Sequence, residues 1–165
     1  MATFIRAALP LVLCLAFAAV VELPNAVAAS VVQACSLITR DDVRKATGVD
    51  PLVDPEPAAG GAICNVGSGE LKLYTGPDSW QAWETARKAF KQDKVPTTPV
   101  TGFGERAYFF YPTPLNAYQG NVAFLVVKSG DHTLALSLDA AEGEPAESMR
   151  PALESLMKVI LARLK

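Results

Sequence analysis

The sequence predicts an α+β domain, an antiparallel sheet packed by helices, and three observations predict it. Apolar residues recur at helical spacing near both ends and in the middle of the chain. Five runs between them have the length and residue types of strands: "AICNV", "ELKLYT", "ERAYFFY", "NVAFLVVK" and "HTLALSLD". The links inside these groups of runs are short and carry glycine, so neighbouring strands pair antiparallel as hairpins. The expected order is α-β-β-α-β-β-β-α.

The chain opens with "MATFIRAALPLVLCLAFAAVVELPNAVAAS", where Arg6 precedes an apolar run from Ala7 to Val21 broken only by Pro10. This is the layout of a secretory signal peptide. A spanning helix needs roughly twenty apolar residues, and Glu22, Pro24 and Asn25 close the run too early. Ala26-Val27-Ala28 fits the small-x-small cleavage pattern, so residues 1–28 read as signal peptide and 29–165 as a single exported domain; retention as an anchor is the alternative. The expected location is the periplasm or the extracellular space.

Cleavage removes one base, Arg6, and one acid, Glu22, so the formal net charge stays at −2. A nucleic-acid partner would call for a basic excess on one face, and none is present. Cys14 leaves with the signal, and the exported chain keeps Cys35 and Cys64 in an oxidising compartment, where two thiols usually pair. Closing that loop stabilises the fold by ~3.6 kcal/mol in the chain-entropy model. Lipidation of Cys35 is the rival reading, because "VQAC" loosely resembles a lipobox, although it lies well beyond the apolar run. A structural zinc site needs four Cys or His ligands, and only His132 could join the two cysteines. That histidine, in "KSGDHTL", reads as an exposed turn residue.

The first helix is "TRDDVRKATG". Thr39 caps it with Asp42 at the capping-box position, Ile38 and Val43 form a hydrophobic staple, and Gly48 stops it. Asp41 and Asp42 thereby have structural work at the positive helix end. "VDPLVDPEPAAGG" is an irregular connection, and its Asp50, Asp54 and Glu56 lack the spacing of a calcium loop. "AICNV" and "ELKLYT" make a hairpin across a three-residue turn, Gly67-Ser68-Gly69. The second helix starts in "GPDSWQAWETARKAFKQ", with Asp78 as cap, Gln81 at the capping-box position and Trp80, Trp83, Ala86 and Phe90 as its buried stripe. In "HTLALSLD", Leu134, Leu136 and Leu138 face the core while Thr133, Ala135 and Ser137 form a wet or lightly covered face. "NVAFLVVK" is apolar on both faces and needs cover on both. The last helix begins near Ser148 and carries Met149, Leu153, Leu156, Met157, Ile160, Leu161 and Leu164 as one stripe.

"ACSLITRDDVRKATG", Cys64 in "ICNV", "VTGFGERAYFF", the "LVVKSGDHTLALSL" hairpin and the closing "ALESLMKVILARL" resemble a family of small secreted or lipid-anchored bacterial proteins of unknown function. That family is best represented among actinobacterial lipoproteins, and the resemblance covers nearly all of residues 29–165. Its members typically show Cys-Ser-Leu-Leu-Thr, a second Cys near an aromatic, a Gly-Leu-Gly-Asp-x-Ala segment and a strand hairpin before a closing helix. The resemblance implies a Cys35–Cys64 disulfide and brings no catalytic residues. This chain departs from the pattern at Phe103 and Glu105, where Leu and Asp are usual, and at Asn65, which lacks the nearby aromatic. The element order is also similar to the sandwich of the PsbP type.

No catalytic constellation emerges. "GFGERA" matches G-x-G-x-x-A, but a proline-rich segment precedes it and a strand follows, the reverse of a dinucleotide site. With no P-loop, no G-x-S-x-G and a single histidine, the sequence does not point to a serine triad, and no cofactor or metal is expected. The informative stretch is "AYFFYPTPLNAY": successive strand residues face opposite sides, so its aromatics cannot all enter one core. Tyr108, Phe110, Tyr111 and Tyr118 are therefore the candidate binding residues. The expected function is a non-catalytic exported domain that binds a protein partner or a small apolar ligand. A carboxylate-dependent hydrolase is one alternative; a secreted inhibitor presenting the loop from Pro112 to Asn121 is the other.

Overall fold

The computed structural model describes residues 32–112 and 121–165, so the expected signal peptide lies outside the described residues. Among these are three helices and one seven-stranded antiparallel sheet, the α+β class. The helices are α1 (Arg40–Thr47), α2 (Ser79–Ala89) and α3 (Arg150–Arg163). The strands are β1 (Glu56–Ala58), β2 (Ile63–Val66), β3 (Gly69–Thr75), β4 (Thr98–Pro99), β5 (Arg106–Phe110), β6 (Val122–Ser129) and β7 (His132–Asp139). Their order in the sheet is β1-β2-β3-β7-β6-β5-β4. Two meanders, β1 to β3 and β4 to β7, thus join through the β3–β7 pair, with α2 crossing between them.

Two short strands were not expected. β1 lies inside the proline-rich connection and pairs with β2, and β4 lies in "TTPV" and pairs with β5. Both are edge strands, where proline is tolerated because one side of the strand needs no partner. The β2–β3 turn is also tighter than expected. Val66 pairs with Gly69, leaving Gly67 and Ser68 as the two turn residues, and Gly67 has φ +61°. Gly69 belongs to β3, and a Cβ there would sit 2.0 Å from the Ser137 carbonyl oxygen, so glycine is what lets β3 approach β7.

Register decides what each face carries. Leu71, Leu73, Leu134, Leu136, Leu138, Ala123, Leu125, Val127 and Phe109 point to one face and are buried there under α1, α3 and the 3-10 turn Ala34–Leu37. α3 supplies Ala152, Leu153, Leu156, Met157 and Ile160 to this core. Met149, Leu161 and Leu164 pack partly against it. α3 is entered from a 3-10 turn, Ala146–Met149, and Met149 rather than Ser148 precedes its first residue, with no side-chain cap.

The opposite face carries a second, smaller core of Trp83, Phe110, Val126 and Ala135 beneath α2. Thr133, Ala135 and Ser137 are buried, which corrects the expectation of a wet face. Thr133 donates a hydrogen bond to Ser79 at 3.1 Å, satisfying two hydroxyls at the seat of α2. The expected capping box of α2 does not form, since Asp78 makes no cap bond. Phe90 is 71 % exposed rather than buried, because α2 ends at Ala89 and Phe90 lies past its last turn. His132 opens β7 opposite Ser129 and is half-buried rather than exposed.

The first helix forms as its sequence dictates. Thr39 accepts from the Asp42 amide, and Asp42 accepts from the Thr39 amide at 2.8 Å. Ile38 and Val43, the staple pair, are both buried. Asp42 has a further partner from the far end of the chain: Arg163 donates to its two oxygens at 2.5 and 3.1 Å, and to the Leu37 carbonyl at 3.0 Å. Burial pushes the Asp42 carboxyl up, but the hydrogen bonds from Arg163 and Thr39 outweigh it and bring it down to about 2.

A carboxyl held below its ordinary value contributes stability above its unfolded pKa and loses it as pH falls through the folded one. Asp42→Asn is expected to cost about 1–2 kcal/mol at pH 7, discounted for partial solvent access. The difference from wild type should close as pH falls from about 4 towards 2. Denaturant unfolding across that range checks this; equal stability at pH 7 would mean that the α1–α3 tie carries no free energy.

Candidate functional site

The thiols are accounted for first. The 3-10 turn carries Cys35 to the edge of the main core, and β2 places Cys64 inside it, with Cα atoms 5.0 Å apart and the sulfurs bonded. A disulfide sulfur is neither nucleophile nor metal ligand, so Cys35 and Cys64 fasten the turn before α1 to the sheet.

The aromatic run is distributed by the alternation of β5. Phe109 enters the main core. Phe110 is 1 % exposed and stacks on Phe124 at 4.7 Å, which corrects its assignment as a binding residue. Tyr108 is half-buried, and its hydroxyl is used internally. Trp83 Nε1 donates to it, and it donates to Glu84 at 3.2 Å. Glu84 in turn is held by Arg87 at 2.9 Å. Burial drives the Tyr108 pKa up, so the phenol stays protonated and can donate. The network locks α2 onto β5 and leaves Tyr108 no free donor for a ligand. Tyr111, past the end of β5, is exposed, and Tyr118 lies outside the described residues.

A concavity with a mainly apolar lining lies elsewhere, at the end of the sheet where α1 stops. A cavity of about 270 Å³ is walled by Val43 and Thr47 of α1, Val49 and Pro51 of the following loop, and Val66, Gly67 and Ser68 at the β2–β3 turn. Leu138, Asp139, Ala140, Ala141 and Met149 close its other side. Local bonds hold the outer wall in place. Gly48 adopts φ +73° and its amide donates to Arg44, turning the chain out of α1. The Thr47 hydroxyl donates to the Val43 carbonyl at 2.9 Å and accepts from the Val49 amide at 3.2 Å. Arg40 grips Asp50 through two bonds of 3.0 and 3.2 Å, which hold the Asp50 carboxyl below its usual range.

The same loop exposes Val49, which lines the cavity, and Leu52 and Val53 further along, at 68, 95 and 54 %. Three exposed aliphatic side chains within five residues are unusual for a surface loop and mark a place where something apolar is met. The sequence carried a signal for this site: "VDPLVDP" places Val49, Leu52 and Val53 in a segment with no strand or helix period to bury them.

Around the β2–β3 turn, on the α2 side of the sheet, a shallower groove of about 400 Å³ is lined by Asn65, Gly67, Ser68, Gly69, Glu70, Val122, Phe124, Ser137 and Asp139. Partial burial first, and Glu70 second, raise the Asp139 carboxyl above its ordinary value. Glu70 is paired with Lys72 at 2.5 Å. Among the described residues no group of three His, Cys, Asp or Glu side chains is placed to hold a metal, and no helix is long and apolar enough to cross a membrane.

No family model, curated protein or solved structure matches the chain. The resemblance to secreted bacterial proteins therefore rests on the motifs themselves.

Since the disulfide anchors the turn that leads into α1, replacing Cys35 and Cys64 together by alanine is expected to lower stability by about 2–4 kcal/mol. Denaturant unfolding of the oxidised protein and of the double variant measures it. Coincident transitions would show that the bond does not contribute to the fold.

Proposed function

We propose that the protein is an exported, non-catalytic domain that binds a small apolar ligand in the cavity between α1 and the β2–β3 turn. The observation that carries the reading is the cavity itself, about 270 Å³ with a mainly aliphatic lining that includes the exposed Val49. Small-molecule sites are concave and mostly apolar with few polar groups, and this one lies just below their usual range of about 300–1,000 Å³. A dry engineered cavity of about 150 Å³ holds benzene, so this volume suits a body of about one to two rings.

Export is supported by the apolar leader-like segment and by the disulfide, which persists in oxidising compartments. The disulfide also speaks against the lipid-anchored reading, because a lipidated Cys35 could not pair with Cys64. The loop after α1 is equally able to meet a protein partner, with Leu52 as its most exposed side chain.

One observation favours a second reading, a carboxylate-dependent hydrolase. Asp139 and Glu70 line the same groove, and the raised Asp139 carboxyl is what a general acid needs. Against it, Glu70 is engaged with Lys72. The inhibitor reading depended on the loop from Pro112 to Asn121, of which residues 113–120 lie outside the described residues.

Thermal unfolding tests the binding reading. Phenethyl alcohol, at about ten times its dissociation constant, should stabilise the protein by roughly 1.4 kcal/mol and raise Tm by a few degrees. Ala141→Phe, which places a ring in the cavity, should remove that response. A rise of equal size in Ala141→Phe would locate the ligand elsewhere, and no rise in wild type would contradict the reading.

A further inference from the structure

The cavity is lined by a single charged residue, and its sign restricts what can enter. Asp139 is that residue, and together with Gly67 and Ser68 it also lines the neighbouring groove. The two concavities therefore share this lining, the cavity on the α1 side and the groove on the α2 side, where the end of β7 passes the β2–β3 turn. Past this junction the groove adds a second acid, Glu70, and neither concavity is lined by a lysine, arginine or histidine.

Two of the other polar lining groups are already engaged. Thr47 spends its hydroxyl on Val43 and Val49, and the Ser68 carbonyl accepts from the Asp139 amide at 3.1 Å. The ion pairs on this part of the sheet join Glu70 to Lys72 and leave Asp139 without a cationic partner among the described residues.

We propose that the ligand is a small amphiphile with a protonated amine head, its apolar body filling the cavity and its ammonium lying against Asp139 at the mouth. This rests on the cavity being a binding site, as argued above. A carboxylate or phosphate head, the usual end of a fatty acid or a lipid, would meet Asp139 with no base lining the cavity, since Lys72 is engaged with Glu70. It is disfavoured by like-charge repulsion. An ammonium there also offsets the two effects that disfavour ionised Asp139, loss of solvent and the nearness of Glu70. Phe124 in the groove presents an aromatic surface on the same side.

Isothermal titration of the disulfide-intact protein with phenethylamine, phenethyl alcohol and phenylpropanoate keeps the body nearly constant and changes the head. At neutral pH the amine should bind about tenfold tighter than the alcohol, and phenylpropanoate most weakly. Asp139→Asn should bring the amine to the affinity of the alcohol and leave the alcohol unchanged. Glu70→Gln should reduce the same preference by less, and it stands in if Asp139→Asn fails to fold. An amine that binds no tighter than the alcohol, or a preference that survives both variants, overturns the head-group assignment while the cavity reading stands. If none of the three compounds binds, the cavity reading falls and this inference falls with it.

Discussion

The structure depends on one constraint: the β6–β7 pair at the middle of the sheet is apolar on both faces and must be covered twice. Leu125, Val126, Val127, Leu134 and Leu136 are all fully buried. At about 1.5–3 kcal/mol for each large side chain removed from water, leaving either face open would be prohibitive for a domain of this size. α3 and α1 close one face, and α2 closes the centre of the other. Each cover is shorter than the sheet, and the concavities lie where the covers end.

Covers made of short helices need fastening, because a helix of eight residues has little stability of its own. α1 is held three ways: by its capping box, by the Arg163–Asp42 ion pair to α3, and by the disulfide just before it. α2 is held by the network through Trp83, Tyr108, Glu84 and Arg87. The fastening of α1 has a consequence at its other end. With the helix fixed and the Arg40–Asp50 pair turning the loop back, Pro51 comes close to Gly67 of the β2–β3 turn and the cavity remains beside them, walled on the outside by Val49.

Features set by neighbouring residues were legible in the sequence. The α1 cap, staple and glycine stop, the hydrophobic stripe of α3, and the five longer strands all follow from spacing within about ten residues. What was missed depends on partners far along the chain. Nothing near Arg163 announces that it meets Asp42, 121 residues away. β1 and β4 were hidden by prolines that only an edge position tolerates. Phe90 keeps helical spacing with Trp83 and Ala86, yet the helix ends before it, so period alone placed it wrongly. The aromatic run drew attention as a binding surface, but strand alternation sends Phe109 and Phe110 into opposite cores and α2 covers the second. The cavity draws its walls from four separate segments, and only the unburied aliphatics of "VDPLVDP" hinted at it.

A domain clamped in this way keeps a mainly aliphatic cavity at one end of the sheet, with Asp139 as its one charged lining residue, and that cavity is the site the proposed ligand would occupy. Methyl chemical-shift mapping during titration with phenethyl alcohol is the most direct check. The account predicts shifts concentrated at Val43, Val49, Val66, Leu138 and Met149, the residues that wall the cavity. Shifts concentrated instead around Trp83 and Phe90, or at Tyr111, with the cavity methyls unmoved, would contradict it.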